Sequence, residues 1–362
     1  MQRLNFKLLL LFIFVLATAG IMSACGGGST NVAEIGGGGT GITASGTISG
    51  FGSVYVNGVK FSTSSSTKIS DDDVSIGEDK LKIGQVVEIK GKSQDSANGS
   101  ADSIMVNKEL KGPVDKLYDT TVTPNTLGVM GQKVIIDNNT LIDNNLTGGL
   151  AGLTIGTLVE VNGFRDAAGA IRATRIERQS AVTGQFKVSG VISAMSSATA
   201  FKVGDLTINY QGIAVKNLPS GGLAVGQRVE VKASAAPSNN ALTATSVEVK
   251  AGISASNGDK GEVEGTIANF DGNCKFNINA QAVDACNVAE FERGTKADLA
   301  NGKRIEAEGN LTNGVLIARK IEFKSSGDGS GGGGGGFSAF VRVNAAIQTL
   351  DATNRAITVL NK

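Results

Sequence analysis

The stretch LAVGQRVEVK, residues 223–232, decides the fold of the chain. Val229 and Val231 alternate with charged residues, which is the two-residue period of a strand with one buried face. Gly226 precedes the alternation, where a turn that needs a positive φ is most simply made by glycine. The stretch therefore predicts a turn followed by a half-buried β-strand.

The same pattern, LxxGxx[VI]E, occurs four times along the chain. The copies are Leu81–Glu88, Leu153–Glu160, Leu223–Glu230 and Leu299–Glu306. Successive copies are separated by roughly 70 residues, which is the length of a small domain and far longer than a solenoid repeat. We therefore expect each copy to fold around its own core, like beads on a string.

Each copy also contains hairpin and bulge signals around this strand. Asn57-Gly58, Asn98-Gly99 and Asn313-Gly314 are strong two-residue hairpin signals. A closing strand follows with apolar residues three apart, which breaks strict alternation and indicates a bulge. These pairs are Ala101 and Ile104, Ala173 and Ile176, Ala244 and Val247, and Ala318 and Ile321.

The predicted fold class is all-β, with tandem small barrels of the OB-like or SH3-like type. Each copy supplies about five or six short strands, and a strongly twisted sheet of that size closes to remove its edges. Helical periodicity is confined to one plausible turn, within Ala289–Leu299.

The predicted domain organisation has eight segments. They are a lipoprotein signal peptide at 1–24, a Gly-rich tether at 25–44, β repeats at 45–108, 110–178, 186–250 and 260–324, a Gly-rich linker at 325–336, and a partial fifth repeat, a hairpin, at 337–362. The hairpin has two interpretations. Either it opens a copy that is cut short, or it docks on the edge of another repeat.

The first 25 residues predict export and lipidation. Arg3 and Lys7 precede an apolar run and then small residues up to Cys25, which is the layout of an export signal and too short for a comfortable membrane span. We expect Cys25 to become the acylated first residue, although an ordinary cleaved signal is the alternative. The expected location is the bacterial cell envelope, with the chain held by lipid, in the outer membrane.

The two remaining cysteines lie in the fourth repeat. In an oxidising compartment Cys274 and Cys286 would pair, and the short loop so closed would stabilise the repeat by roughly 3 kcal/mol. Two separate buried thiols are the alternative.

Composition excludes several kinds of chemistry. The chain has no histidine and no tryptophan, so a Ser-His-Asp couple or a His-ligated zinc is impossible. Its formal net charge is +1, which gives no electrostatic footprint for nucleic acid. Two GxGxxG matches, at Gly36 and Gly327, lie in low-complexity segments without a flanking strand and helix. We expect no enzyme activity, no catalytic residue, no metal and no cofactor.

The chain resembles a known family at several places. The opening GTISGFGSVYVNGVKF at 46–61, the recurring LxxGxxVEVxG and the following AxxI are similar to the bacterial domain of unknown function 5666, found in envelope lipoproteins. The resemblance implies a repeated small β domain on a lipoprotein. It implies no activity and no catalytic residues.

The candidate sites in the repeats are weak. Glu88, Glu160, Glu230 and Glu306 occupy equivalent places, and we expect them to face solvent tens of ångströms apart, too far for paired acid–base chemistry. Asp71-Asp72-Asp73 lacks the spacing of a calcium loop, so a solvated turn is favoured. The cluster of Phe51, Tyr55 and Phe61 favours core packing over ligand stacking.

The four repeats share no group of residues that is typical of catalysis, which favours a non-enzymatic binding, adhesion or scaffold array. Its expected partners are the membrane, through the lipid anchor, and an envelope protein or polysaccharide. The alternative is a lipoprotein that binds a small ligand or oligosaccharide in one barrel mouth. An enzyme that uses carboxylates alone is a third hypothesis, and nucleic-acid binding is opposed by the near-neutral charge.

Overall fold

The computed structural model of the protein describes residues 41–179, 185–324, 342–343, 347–351 and 356–359. All of them belong to one compact unit, residues 38–362. The expected signal peptide, with Cys25, and the Gly-rich linker at 325–336 lie outside the described residues. No helix within these ranges is long and apolar enough to cross a membrane.

The four repeats are built from short strands in the same order. Repeat 1 contains β1 (Gly41–Phe51), β2 (Val54–Val56), β3 (Val59–Ser62), β4 (Lys68–Asp71), β5 (Val74–Ser75), β6 (Val86–Ser93) and β7 (Asn98–Val106). Repeat 2 contains β8 (Leu110–Asp119), β9 (Asn125–Val129), β10 (Gln132–Ile136), β11 (Leu141–Ile142), β12 (Leu158–Arg165) and β13 (Ile171–Arg178). The first strand thus begins inside the segment expected to be tether.

The second half of the chain repeats this plan. Repeat 3 contains β14 (Phe186–Ser197), β15 (Ala200–Val203), β16 (Leu206–Asn209), β17 (Val215–Lys216), β18 (Arg228–Ala233), β19 (Ala241–Thr243) and β20 (Ser246–Val249). Repeat 4 contains β21 (Lys260–Ala268), β22 (Lys275–Ile278), β23 (Gln281–Asp284), β24 (Glu290–Glu292), β25 (Arg304–Thr312) and β26 (Val315–Phe323). Beyond it lie β27 (Arg342–Val343), β28 (Ile347–Asp351) and β29 (Ala356–Val359).

Each repeat closes into a small barrel. In repeat 1, β1 pairs with β2, β2 with β3, β3 with β7, β7 with β6, and β6 with β1 again. The β3–β7 pairing is parallel and the others are antiparallel. Repeat 2 closes in the same way through β8, β9, β10, β13 and β12. This strand order, with its one parallel closure, is that of the OB fold, so the predicted all-β barrels are confirmed and are OB-like.

The glycine of the LxxG pattern forms a turn with positive φ in every repeat. The angles are 87° at Gly84, 85° at Gly156, 92° at Gly226 and 86° at Gly302. A residue with a Cβ is strained in this conformation, so the prediction made from the pattern is confirmed.

The predicted bulge in the closing strand is present in three repeats. In repeat 1, Lys90 pairs with Ser103 but Gly91 pairs with Ala101, so Asp102 is the extra residue. A Cβ on Gly91 would lie 1.8 Å from the carbonyl oxygen of Ser100, so only glycine permits this approach. Repeats 2 and 4 bulge in the same way at Gly163 and Gly309.

Repeat 3 departs from this pattern for a physical reason. Ala233 stands where the other repeats have the glycine, and its β18 strand pairs with β20 only as far as Lys232. The closing strand is accordingly split into β19 and β20.

One prediction about a hairpin turn was wrong. Asn98 and Gly99 open strand β7 and do not form a hairpin tip, because Asp95 Oδ1 accepts the backbone N–H groups of Ala97 and Asn98 and places the turn earlier. The one plausible helical turn, within Ala289–Leu299, is present as a single 3₁₀ turn, Lys296–Asp298, which follows strand β24. Similar 3₁₀ turns, Glu78–Lys80 and Gly149–Gly152, lead into the LxxG pattern of repeats 1 and 2.

The cores are not all separate, which corrects the expectation of one core per repeat. Repeats 1 and 4 each have a core of their own. Repeats 2 and 3 share one continuous core, because β8 and β14 pair side by side at Leu110 and Val188, which are both fully buried.

Strand pairing also joins repeats 1 and 4. Strands β1 and β21 are parallel partners over Ile42–Ser45 and Lys260–Val263, so the strands of these two repeats form one sheet. Further along the chain, β27 pairs with the end of β1, and β28 and β29 form an antiparallel hairpin.

Candidate functional site

The four repeated glutamates lie on the outer faces of their barrels but do not face solvent. Glu160 and Glu306 are each 8% exposed, and the side chains of Glu88 and Glu230 are 13% and 12% exposed. The expectation of solvated glutamates is therefore wrong. Alternation placed these residues outside the barrel correctly, but packing between barrels covers that face.

Two buried lysines bring two of these glutamates together. Lys108 Nζ lies 3.1 Å from Glu160 Oε1 and 3.1 Å from Asp72 Oδ2. Lys187 Nζ lies 2.9 Å from Glu230 Oε2 and 3.0 Å from Asp72 Oδ1. Asp72 of repeat 1 thus pairs with both lysines, of which Lys108 also contacts Glu160 and Lys187 also contacts Glu230. Glu160 and Glu230 are therefore not tens of ångströms apart. We call these residues, together with Asp71, the lysine cluster.

The aspartate triplet enters the lysine cluster as the tip of the β4–β5 hairpin. Asp72 and Asp73 have φ angles of 49° and 67°, a conformation that aspartate tolerates better than most residues. Asp71 Oδ1 lies 2.8 Å from Lys108 Nζ, and Asp73 Oδ2 lies 2.6 Å from the Nζ of Lys232. The favoured solvated turn is therefore wrong for Asp71 and Asp72, which are largely covered.

The electrostatics of the lysine cluster follow from burial and close charges. Burial alone would raise the pKa of Asp72, but Lys187 and Lys108 outweigh it and lower that pKa to about 2. Burial raises the pKa of Asp71 above its ordinary value despite Lys108. Burial would lower the pKa of Lys108, yet Glu160, Asp72 and Asp71 raise it. The lysines and Asp72 are thus held as ions, which suits a structural role.

A second buried ion group joins repeats 2 and 3. Glu109, which is 4% exposed, accepts from Arg165 Nε at 3.0 Å and also from the guanidinium of Arg228. Arg165 Nη1 further donates to Gln132 Oε1 at 3.0 Å. These bonds satisfy the arginine inside the shared core region.

The LxxG turn of repeat 1 docks on the closing strand of repeat 2. Thr174, the bulged residue of β13, donates its hydroxyl to Gly84 O at 2.6 Å. Lys82 forms an ion pair with Glu177 and lies 3.3 Å from Asp143 Oδ2. A Cβ at Gly84 would lie 2.9 Å from Leu141 Cδ1, so the turn fits closely against repeat 2.

Repeat 4 contributes a buried carboxylate face. Glu264 accepts from Arg304 Nη2 at 2.6 Å and from the backbone N–H of Thr47 in repeat 1 at 2.9 Å. The Arg304 guanidinium carbon lies 5.0 Å from the ring centroid of Phe164 in repeat 2. Three repeats therefore meet at one arginine.

Two other glutamates of repeat 4 are strongly perturbed. Burial raises the pKa of Glu262 to about 7, although Lys260 lies 3.0 Å away. Burial also raises the pKa of Glu306 to about 8, although Lys324 lies 2.6 Å away. In both cases the desolvation of the carboxylate outweighs the attraction of its lysine.

A cavity of about 320 Å³ lies where the four repeats converge. Its wall includes Glu88 and Lys90 from repeat 1, Phe164 from repeat 2, Glu230 from repeat 3 and Ile278 from repeat 4, with the connecting residues Lys250–Ser254. A neighbouring groove of about 350 Å³ shares Lys90 and Ser254 with it. The cavity lies between barrels and not in the mouth of one barrel.

The remaining candidate residues are accounted for individually. Cys274 and Cys286 form a disulfide, with Cα atoms 4.9 Å apart. These sulfurs and Asp284 are the three possible metal ligands that lie together in the described part of the chain, and the sulfurs are already bonded to each other. Phe61 is buried in the core of repeat 1 and Phe51 packs against that core, whereas Tyr55 is 8% exposed and lies on the face opposite Val54 and Val56, so the core-packing expectation is wrong for Tyr55. The lipidation prediction for Cys25 stays a prediction.

Lys108 and Lys187 were not among the residues predicted from the sequence to form a site. Neither belongs to a repeated motif, so repetition gave no signal for them. The aspartate triplet occurs in repeat 1 and has no counterpart in the other copies, which was an available sign of a contact made by that repeat alone.

Comparisons with known proteins identify the family of the chain. The family described as domain of unknown function DUF5666 matches residues 42–105, 111–177, 183–248 and 264–322, which are the four barrels and more than half of the chain. None of the curated proteins compared with the chain matches it. A solved structure described as drosophila Unr CSD456 is similar at 15% identity and a TM-score of 0.18, covering 50% of this chain and 85% of that chain. On its four family matches, the chain belongs to the DUF5666 family.

Proposed function

We propose that this protein is a non-enzymatic, lipid-anchored protein of the bacterial cell envelope whose four barrels act together as a binding or scaffold body. The bridge from Asp72 to both Lys108 and Lys187 carries the proposal, because this half-buried carboxylate of repeat 1 pairs directly with repeat 3 and, through Lys108, connects to Glu160 of repeat 2. Cys25 supplies the anchor, and acyl chains contribute about 0.8 kcal/mol for each buried methylene.

The chemistry of the glutamates supports a binding role over catalysis. Glu160 and Glu230 are held in ion pairs with lysines that Asp72 also binds. A general acid or base must change protonation in use, and Glu230 is poorly placed to do so, because Lys187 outweighs burial and holds its pKa below the ordinary value. The carboxylate-only enzyme is therefore the less favoured hypothesis.

Contact points for a partner are suggested by the LxxG turns. Repeat 1 uses this turn to dock on repeat 2, with Gly84 at the contact. The same turn in repeats 2 and 3 carries Ile155 and Val225 at its tip, and each is 60% exposed. Two aliphatic tips on one rigid body could engage a partner twice, which raises avidity without a stronger single contact.

The experiment compares capture by matched variants of the mature chain with Cys25→Ser. Envelope extract is passed over the immobilised protein, and retained protein and polysaccharide are identified. We expect capture by the parent and by the control Leu117→Asp, whose residue is 53% exposed elsewhere in repeat 2. Ile155→Asp with Val225→Asp should lose it. Equal retention by all three, or no retained partner, would contradict the proposal.

The anchor and the location are tested separately. Growth with labelled palmitate should label the full chain and not a Cys25→Ala variant, and fractionation should place the labelled protein with the envelope. Label that persists in the variant would show that Cys25 is not the acylated residue.

A further inference from the structure

The cavity between the four repeats has a wall of balanced charge. It presents the carboxylates Glu88, Glu109, Glu230 and Glu248 and the cations Lys90, Lys108, Arg228 and Lys250. Val86, Phe164, Val263 and Ile278 supply apolar surface between them. Such a mixture of apolar wall and convergent polar groups is typical of small-molecule sites.

Most of these charges are already committed to partners in the protein. Glu109 binds two arginines, Lys108 binds three carboxylates, and Glu230 binds Lys187. Because these ion pairs fix the orientation of the three side chains, their charges contribute to the electrostatic field in the cavity but do not bind a ligand directly.

Glu88 is different from the other carboxylates. Its side chain is 13% exposed, the backbone N–H of Ser254 interacts with its carboxylate, and the Nζ of Lys90 lies 3.8 Å away, which is beyond hydrogen-bond distance. An ionised carboxylate has about four acceptor positions, so one backbone hydrogen bond and a distant ammonium group leave acceptor capacity for a positively charged donor.

Two ammonium groups of the same wall have donors to offer. Lys90 is 44% exposed and Lys250 is 29% exposed, and Lys250 Nζ lies 3.3 Å from Glu248 Oε1. An ammonium has three N–H donors, so one such contact leaves others for a ligand. The exposure of Lys90 also shows where the cavity opens toward solvent.

We propose that the cavity binds a small zwitterion of the amino-acid or dipeptide class, with its ammonium group at Glu88 and its carboxylate at Lys90 and Lys250. A simple anion would face Glu88 and Glu248, and a simple cation would face the two lysines, whereas a zwitterion complements both. A sugar is less suited, because Arg304 already lies over the Phe164 ring. The site does not depend on a macromolecular partner.

The dimensions agree with this class of ligand. The cavity is about 320 Å³, at the lower end of small-molecule sites. The groove that continues past Lys90 and Ser254 gives room for a second residue, which is why dipeptides belong in the test.

The test uses the mature chain with Cys25→Ser and a panel of the common amino acids and glycyl dipeptides. Thermal shift identifies binders, and titration calorimetry measures each one beside its N-acetyl and C-amide derivatives. We expect at least one zwitterion to bind, and loss of either end charge to weaken binding at least tenfold. The proposal is overturned if no probe binds, or if blocked and free forms bind alike.

Variants assign each charge to its residue. Glu88→Gln should weaken binding of the free amine while leaving the N-acetyl form unchanged, and Lys90→Met or Lys250→Met should do the same for the free carboxylate and the C-amide form. Lys116→Met, 75% exposed outside the cavity, is the control. If circular dichroism shows that Glu88→Gln does not fold, the lysine variants test the proposal. Variants that bind like the parent would refute the assignment.

Discussion

At the scale of the residue, the main feature is the burial of charge between barrels. Lys108 and Lys187 are 2% and 3% exposed, and the carboxylates around them replace the water they have lost. A buried ion pair is a poor source of net stability, but removing one partner leaves an uncompensated charge and costs several kcal/mol. Buried charges therefore fix how the barrels pack against one another. Single substitutions of these charges should change the stability of the protein.

Asp72→Asn should destabilise the protein by about 2 kcal/mol, because two buried lysines lose their shared carboxylate but keep Glu160 and Glu230, and each unit by which the pKa of Asp72 is lowered corresponds to about 1.4 kcal/mol. The pKa of Asp72 is lowered to about 2 from 3.8, so its stabilising effect is present above 3.8 and is lost as pH falls through 2. Urea unfolding at pH 7 and at pH 2 measures this. The control Asp73→Asn, 78% exposed, should cost less than about 1 kcal/mol. Equal losses of stability in Asp72→Asn and Asp73→Asn would contradict the role of Asp72 as a bridge between the two lysines.

Glu262 gives the opposite pH dependence. Its pKa is raised from 4.5 to about 7, so its protonated form stabilises the fold fully below 4.5, and this effect is lost as pH rises through 7. The loss is up to about 3.5 kcal/mol, since one pKa unit corresponds to about 1.4 kcal/mol. Glu262→Gln should therefore be more stable than the parent at pH 8 and similar at pH 4.5. Urea unfolding at both values tests it, and a variant that is less stable at pH 8 would contradict it.

At the scale of the element, sequence patterns were most informative about the chain within one barrel. The period of two identified the strand after each LxxG turn, and the three-residue spacing identified the bulge, because both depend on neighbours close in sequence. Asn98-Gly99 misled because Asp95 competes for the same backbone groups. The cover over Glu160 could not be predicted, since it comes from a hairpin in another repeat.

Gly309→Ala tests the bulge. A Cβ there would lie 2.0 Å from the carbonyl oxygen of Ile317, so the two strands must separate. We expect a loss of about 3 kcal/mol, in the range of severe overpacking. The control is Gly221→Ala, where no atom lies within 4 Å of the added Cβ and φ is not positive. Denaturation of both variants measures the difference. A Gly309 variant as stable as the control would show that the close approach is not required.

At the scale of the whole molecule, the repeats are not equivalent despite their common fold. Repeats 1 and 4 each enclose a core, whereas repeats 2 and 3 share one. Neighbours in sequence thus form the central pair, and the outer two pair with each other through β1 and β21. Four similar sequences meet in different ways because some contacts are made by residues present in one copy alone, as Asp72 of repeat 1 does with Lys187 of repeat 3.

The shared core predicts how fragments of the chain fold. A fragment of residues 110–179 would expose Leu110 and the other apolar residues that repeat 3 covers, whereas a fragment of residues 110–250 would keep the whole core. Because core packing supplies most of the stability of so small a domain, we expect the longer fragment to unfold cooperatively and the shorter one to be loosely packed. Near-ultraviolet circular dichroism and amide exchange distinguish these states. If the shorter fragment were as well ordered as the longer one, repeat 2 would be an independent domain, and the shared core would be a contact between two finished barrels.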